Sequence, residues 1–298
     1  MHNRTDMNRF SIKDIENLTG IRAHTIRIWE QRYGILQPKR TDTNIRYYDA
    51  DDLKTALKVA LLNENGYKIS KIHQMSADEM SSLISKVTDD EFRLRVQVNK
   101  LIEATLGMDI HLFEQLVDDY IRKWGMEKAV EQLIFLFLEK IGLMWMTDRI
   151  FPAQEHLVSN VIYRKLAIAV EKLAPAPKDA VRVLLFLPEG ETHDLGLMYV
   201  QYLLRKLGKD AIYLGPDTPV KEVGFVINAL RPDFAYLHLT SVVEEFDGNQ
   251  YLQRISQSFP QTNFLVSGSM LRSRKYTQPG NMRFLYSLEE AREALKVL

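Results

Sequence analysis

The chain has 298 residues, of which 46% are hydrophobic, so it can bury sizeable cores and should form two or three domains. It has no cysteine, which excludes a disulfide framework and thiolate chemistry, and its formal net charge is zero. The N-terminus lacks a signal segment and no apolar run is long enough to span a bilayer, so we expect a soluble cytoplasmic protein.

The first fifty residues predict a helix-turn-helix followed by a basic hairpin. Apolar residues recur at helical spacing from Ile12 to Trp29, and Thr19-Gly20 interrupt them as a tight turn would. Residues 1–48 carry nine Lys and Arg against five Asp and Glu, whereas the remainder carries the opposite excess. A local positive excess favours phosphate binding over the alternative, a solvated basic face with Trp29 and Tyr33 as core aromatics. The DNA-binding candidates lie on the second helix and the hairpin: Arg22, His24, Thr25, Arg27, Arg32, Tyr33, Lys39, Arg40, Arg46 and Tyr47.

This region resembles the MerR family of transcriptional regulators over roughly residues 9–75. The similarity is carried by Thr25-Ile-Arg27-Ile-Trp29-Glu-Gln-Arg-Tyr-Gly34, Pro38-Lys-Arg40 and Arg46-Tyr-Tyr48, in that order. The resemblance implies a winged helix-turn-helix that binds double-stranded operator DNA.

The middle of the chain is helical in pattern. Four helices are predicted, at 92–106, 110–121, 126–144 and 152–173, and their short connections favour an antiparallel four-helix bundle. The two prolines of Ala174-Pro-Ala-Pro-Lys178 predict a stiff linker. We therefore expect a DNA-binding domain at 1–76, a bundle at 77–173, a linker at 174–178 and a further domain at 179–298.

That last domain alternates apolar strands with helices. The strands are predicted at 181–187, 210–214, 234–239, 263–266 and 283–285. Continuous apolar strands between helices indicate a parallel sheet covered on both faces, so we predict a flavodoxin-like (Rossmann-like) α/β fold. Such folds bind ligands at the carboxyl ends of their strands.

Glu191-Thr-His193-Asp-Leu-Gly196 follows the first of these strands. A neutral imidazole is a good ligand for low-spin cobalt, and Glu191 could hydrogen-bond the other ring nitrogen of His193. Gly196 would permit a close approach of helix, strand or ligand. The alternative is a helix start capped by Thr192 or Asp194, with an exposed histidine.

The Glu-x-His-x-x-Gly pattern resembles the cobalamin-binding signature of methionine synthase and coenzyme-dependent mutases. That resemblance implies His193 as the lower cobalt ligand and assigns further cofactor contacts to Ser241, Val243, Gly268 and Ser269. Val243 stands where the family has leucine, and Ser269 stands where it has a second glycine.

Trp145, Glu155 and His156 in the bundle resemble the upper-face residues of the CarH/LitR family of photoreceptor repressors. In that family adenosylcobalamin promotes a DNA-binding tetramer in the dark, and light breaks the cobalt–carbon bond. Met146 departs from the family, which has a histidine after the tryptophan. Alternatively, Trp145 is a core aromatic and Glu155-His156 a helix start.

The sequence thus predicts a cobalamin-controlled, self-associating DNA-binding regulator that acts as a repressor. An enzyme is not expected, since the sequence offers no convincing nucleophile–base set or phosphate loop. One alternative keeps the DNA-binding domain but gives the sensor another ligand or a protein partner. A further alternative is a cobalamin-dependent methyl-transfer module.

Overall fold

The computed structural model describes residues 9–87, 89–240 and 246–298. It divides into two compact units, Met1–Val161 and Ile162–Leu298, and each is described here by itself. Helix α9 (Pro152–Glu171) runs across the division in sequence.

The N-terminal domain contains the predicted helix-turn-helix and hairpin. Its elements are α1 (Ile12–Thr19), α2 (Ala23–Tyr33), β1 (Lys39–Arg40), β2 (Arg46–Tyr47), α3 (Ala50–Glu64), α4 (Ile69–Ile72) and α5 (Ala77–Lys86). Ser11 begins α1 with a capping box to Asp14, and Gly20 ends it in the left-handed conformation, which an L side chain rarely adopts. These caps fix the short turn between α1 and α2.

The core of this domain joins the second helix to the helices that follow the hairpin. Trp29, Val59, Leu62 and Ile72 are buried together. Apolar residues of α5 pack on the same cluster (Met80, Leu83 and Ile84). The packing therefore extends past the boundary expected at residue 76, because α5 covers the apolar side of α3.

The helical domain contains the four predicted helices. They are α6 (Asp90–Leu106), α7 (Ile110–Lys128), α8 (Phe135–Met146), preceded by a π-helical segment (Ala129–Ile134), and α9. Gly125 interrupts α7 with a φ of 84°, which accounts for a kink there. The Phe113 and Phe137 rings, both fully buried, pack 5.2 Å apart between α7 and α8.

The α/β domain has a five-stranded parallel sheet in the order β4-β3-β5-β6-β7. Its elements are β3 (Arg182–Pro188), α10 (Leu195–Lys206), β4 (Asp210–Thr218), α11 (Val220–Leu230), β5 (Phe234–His238), α12 (Gly248–Ser258), β6 (Asn263–Ser267), α13 (Met270–Ser273), β7 (Met282–Leu285) and α14 (Leu288–Lys296). This order is that of flavodoxin-like folds, as predicted. In this order β3 and β5 are neighbours, so the loops after them meet at one edge of the sheet.

Burial agrees with the apolar strand pattern. Residues 183–187 of β3 are fully buried, as expected for a strand that helices cover on both faces. Among the described residues, no helix combines the length and the apolar character that crossing a membrane requires.

Candidate functional site

The second helix of the N-terminal domain exposes a basic face. Arg22, His24 and Arg27 are exposed at its start, while Ile26 and Trp29 are buried on its opposite side. Of the other predicted residues on this helix, Arg32 is exposed and Thr25 is half-buried. In a helix-turn-helix the N-terminal residues of the second helix reach the base edges, so this face has the placement that base and phosphate contacts require.

The hairpin cations are held by neighbouring groups. Arg46 forms an ion pair with Glu30 at 3.0 Å, and the Tyr48 hydroxyl donates to the same carboxylate. The Glu30 side chain is only 7% exposed, so this carboxylate ties the hairpin to α2. Lys39 pairs with Asp49.

Two more predicted residues contribute to the hairpin itself. Arg40 donates from Nη1 to the Asn44 side-chain oxygen at 2.9 Å, and Asn44 has a φ of 64° in the turn. The Arg9 guanidinium lies 4.5 Å from the centre of the Tyr47 ring. The hairpin is therefore braced, and its basic groups have fixed positions.

Tyr33 takes part in packing. Its ring lies 5.1 Å from that of His73, and it is half-buried against the core of the domain. A contact between Tyr33 and DNA remains a prediction.

In the α/β domain, His193 and Glu191 form the pair expected from the sequence. Nδ1 of His193 lies 2.7 Å from Oε1 of Glu191, which is fully buried. Oε1 also accepts from the His193 backbone N–H at 2.9 Å, and Oε2 accepts from the Thr240 N–H at 3.3 Å. Because the carboxylate accepts from these N–H groups, Nδ1 is the donor, and Nε2 is the nitrogen suited to bind a metal. The His193 side chain is 56% exposed, which suits an added ligand better than a core histidine.

Thr240 is a site residue that sequence reasoning missed. It follows β5, its backbone N–H binds Glu191, and its buried Oγ1 has no hydrogen-bond partner among the described residues. An orphaned buried hydroxyl beside the His193–Glu191 pair fits a ligand that supplies a polar atom there. Its position directly before Ser241 was the available signal. Ser241 and Val243 lie outside the described residues.

Asp194 is a second neighbour that the sequence did not single out as part of the site. The Tyr213 hydroxyl donates to it at 2.9 Å, and no side-chain cap of α10 is formed by Asp194. Burial raises the pKa of this carboxyl group. The Asp194 side chain therefore does not cap α10, and it forms a hydrogen bond with Tyr213 instead.

Gly196 and Gly268 are required for close packing at the same edge of the sheet. A Cβ on Gly196 would lie 2.4 Å from Nε2 of His238, and one on Gly268 would lie 2.0 Å from the Leu239 carbonyl oxygen. Ser269, the departure from the family pattern, donates from Oγ to the Thr240 carbonyl oxygen at 2.9 Å. Its hydroxyl therefore has a partner in the protein.

In the helical domain, Trp145 is 49% exposed and is therefore no core aromatic. The neighbouring Met146 is 71% exposed. Nδ1 of His156 lies 2.9 Å from Oε2 of Glu155, whose other oxygen accepts from Ser159. These residues leave an aromatic and a paired imidazole at the surface, near the end of α8 and the start of α9.

Comparison with known proteins identifies two family models that match separate parts of the chain. Residues 10–79 match the model of the MerR HTH family regulatory proteins, and residues 97–169 match that of a B12 binding domain. The chain is 28% identical over 257 residues to the HTH-type transcriptional repressor CarH of Myxococcus xanthus, covering 84% of this chain and 85% of that protein. It is 29% identical over 229 residues to the repressor CarA of the same organism, covering 76% and 75%.

Among solved structures, the monomethylamine corrinoid protein of Methanosarcina barkeri matches 67% of this chain and 97% of its own, with 14% identity and a TM-score of 0.47. The two family models and the two repressors, rather than this structural similarity, show what the chain is related to. The chain has a MerR-type helix-turn-helix domain followed by a B12-binding domain, and it is homologous over most of its length to the repressors CarH and CarA.

Proposed function

We propose that this protein is a DNA-binding transcriptional repressor whose oligomerisation and DNA affinity are controlled by cobalamin. The observation that carries the proposal is the His193–Glu191 pair, placed at the carboxyl edge of a flavodoxin-like sheet in a chain that begins with a MerR-type domain. Both named relatives are repressors, which favours a regulator over an enzyme. We also propose that the protein acts in the cytoplasm, where a DNA-binding regulator has access to its operator.

The N-terminal domain would bind double-stranded operator DNA. Arg22, His24, Thr25 and Arg27 would meet base edges or phosphates from α2, and Arg32 would add a phosphate contact. The remaining predicted residues would act from the braced hairpin or beside it (Tyr33, Lys39, Arg40, Arg46 and Tyr47). Glu30 positions the hairpin against α2 and thereby sets the distance between the two sets of contacts.

Cobalamin is the cofactor that the residues fit, and we propose the adenosyl form. When bound, it would supply a cobalt ion that can accept an imidazole nitrogen, and a cobalt–carbon bond. His193 would offer Nε2 to the cobalt, and Glu191 would hold Nδ1–H, which raises the basicity of the imidazole. Thr240 would use its orphaned hydroxyl for a polar atom of the ligand. Gly196, Ser241, Val243, Gly268 and Ser269 remain proposed contacts for the rest of the cofactor.

Trp145, Glu155 and His156 are proposed contacts for the upper part of the cofactor. The exposed Trp145 ring could cover the adenosyl group. The Glu155–His156 pair would take part in holding that group or in the contact between subunits.

Control of DNA binding would follow from linkage. A ligand that binds the oligomer more tightly than the monomer shifts the population toward the oligomer. Paired N-terminal domains then bind neighbouring half-sites with a higher effective concentration. We propose a dimer or tetramer as the DNA-binding state.

Gel filtration with a visible spectrum tests the proposal. Adenosylcobalamin is added in the dark, and we expect a red protein that elutes earlier than the protein without ligand. The His193→Ala variant should lose the spectral change of a histidine-ligated corrinoid, while His111→Ala, at an exposed histidine on α7, should keep it. A colourless wild-type protein, or a His193→Ala spectrum equal to that of wild type, would overturn the proposal.

The second candidate is a MerR-type regulator whose sensor answers another ligand or a protein partner. Ser269, Val243 and Met146 favour it, because all three depart from the patterns of the cobalamin families. A methyl-transfer module is a lesser candidate. Illumination of the red complex tests the light response: a change in size would support a photoreceptor, and no change would leave a ligand-controlled repressor.

A further inference from the structure

The first helix of the N-terminal domain is held at its start by an arginine of the helical domain. Nε of Arg149 lies 2.6 Å from Oδ2 of Asp14, and its Nη1 donates to the Arg9 carbonyl oxygen at 2.9 Å. The Asp14 side chain is only 7% exposed and already forms the capping box with Ser11. Arg149 therefore contacts the capped start of α1 at more than one point.

The other end of α1 is held by a lysine of α8. Nζ of Lys140 donates to the Leu18 carbonyl oxygen at 3.0 Å, in the last turn before Gly20. A cation is favourable at a helix C-terminus, because the last carbonyl groups lack partners within the helix. Lys140 is half-buried, and this burial lowers the pKa of its ammonium group.

Together these contacts fix the orientation of α1 relative to α8 and the turn that follows α8. A single contact would allow the helix to rotate about it, whereas contacts at both ends remove that freedom. In a helix-turn-helix, α1 fixes the placement of α2, which enters the major groove. The orientation of the DNA-binding face therefore depends on α8 and on the turn that follows it.

The same segment carries Trp145. It lies between Lys140 and Arg149 in the chain, and Asp148, next to Arg149, has a φ of 54°, a conformation uncommon for residues other than glycine. A ligand contact that moves Trp145 would move the segment to which both cations belong. Charged contacts of this kind depend on geometry more steeply than an apolar interface does, so a small displacement would weaken them.

We propose that Lys140 and Arg149, the α1 clamp, couple the state of the ligand at Trp145 to the orientation of the DNA-binding helices. The proposal rests on the proposed function, because it takes Trp145 as a ligand contact. Neither Lys140 nor Arg149 is among the residues proposed to contact cobalamin or DNA. It is a positioning device, and its loss changes the coupling between two binding events.

DNA affinity measured with and without adenosylcobalamin in the dark tests the clamp. In wild type the ratio of the two dissociation constants measures the coupling, which for allosteric proteins is about 5–150-fold. In Arg149→Met we expect this ratio to fall to a few-fold or less, while the visible spectrum of the bound cofactor stays the same. Arg122→Met is the matched control, since within the described part of the chain Arg122 pairs with the exposed Asp119 on α7 alone, and it should keep the wild-type ratio.

Reciprocity gives a second readout. Because coupling free energies are symmetric, DNA should tighten cobalamin binding in wild type by the same factor, and in Arg149→Met by a few-fold or less. Asp14→Asn removes the charge from the other partner and should give the same loss, and Arg149→Lys should restore part of it. If Arg149→Met fails to fold, Lys140→Met and Asp14→Asn decide the question.

The outcomes separate the two proposals. If the DNA affinity of the wild-type protein is the same with and without cobalamin, both the proposed function and the proposed role of the α1 clamp are contradicted. A wild-type protein that responds, together with Arg149→Met and Asp14→Asn variants that respond equally, overturns the clamp alone.

Discussion

Replacing Gly196 by alanine tests the packing at the carboxyl edge of the sheet. The added Cβ would lie 2.4 Å from Nε2 and 2.9 Å from Cδ2 of His238, well inside van der Waals contact. The imidazole has little room to retreat, because it is half-buried and its Nδ1 lies 2.7 Å from the Ser267 hydroxyl. Relief therefore requires either breaking that hydrogen bond or moving α10 away from β5.

The expected cost is that of overpacking a core. Inserting one methyl group into a well-packed site costs about 1–3 kcal/mol. Gly196 lies in α10, where alanine by itself would stabilise the helix by roughly 0.5–1 kcal/mol. We expect a net loss of about 1–2 kcal/mol, and a domain of this size loses about 2–4 °C in melting temperature for each kcal/mol.

Thermal unfolding followed by circular dichroism is the assay, and Gly142→Ala is the control. Gly142 also lies inside a helix, α8, but a Cβ there would meet nothing within 4 Å, so this variant should be neutral or more stable. The double variant Gly196→Ala/His238→Ala should lose less than the sum of its single variants, because the clash is gone. If Gly196→Ala is as stable as Gly142→Ala, the packing argument is wrong.

Three further outcomes are expected. Glu191→Gln should weaken cobalamin binding about 10–100-fold in a spectroscopic titration, since it changes the group that orients His193. Glu189→Gln, at an exposed position, should leave the affinity unchanged, and equal affinities of the two variants would contradict the role of Glu191. Arg27→Ala should weaken DNA binding, as measured by gel shifts at several salt concentrations. If Arg27 contacts a phosphate, the slope of log affinity against log salt concentration should fall by about one, and an unchanged affinity would contradict a place for Arg27 in the interface. Burial lowers the pKa of His238 to about 4, below its value of about 6.5 in the unfolded chain. As the pH decreases, the unfolded chain therefore takes up the proton first, and the free energy of unfolding falls between about pH 6.5 and pH 4. Urea unfolding at pH 7 and pH 5 should show this loss, and His238→Asn should flatten it; an equal pH dependence in the variant would refute the assignment.

The order of elements could be predicted because local patterns fix it. Apolar spacing at 12–29 and the Thr19-Gly20 break gave α1 and α2, and uninterrupted apolar runs between helical stretches gave the parallel sheet. Helical and strand periodicities differ, and each is written in neighbouring residues. The flavodoxin-like class predicted from this alternation is confirmed, and the structure supplies its strand order.

The His193–Glu191 pair could also be predicted, because its two residues are separated by one position and share a loop. The contacts of Thr240 and His238 could not be predicted, since both residues reach the same edge of the sheet from β5, and the position of Thr240 before Ser241 was the one local signal. Only the pairing of β3 with β5 brings them to Glu191 and Gly196.

The same distinction holds for the N-terminal domain. The sequence by itself determined that basic residues gather on a helix-turn-helix, because charge and periodicity are properties of the chain. The tertiary structure decided which of them are exposed and which are engaged: Arg27 is exposed on α2, Arg46 pairs with the buried Glu30, and Arg149 reaches Asp14 from far along the chain. An ion pair depends on distance in space, and sequence separation does not set that distance until the fold closes.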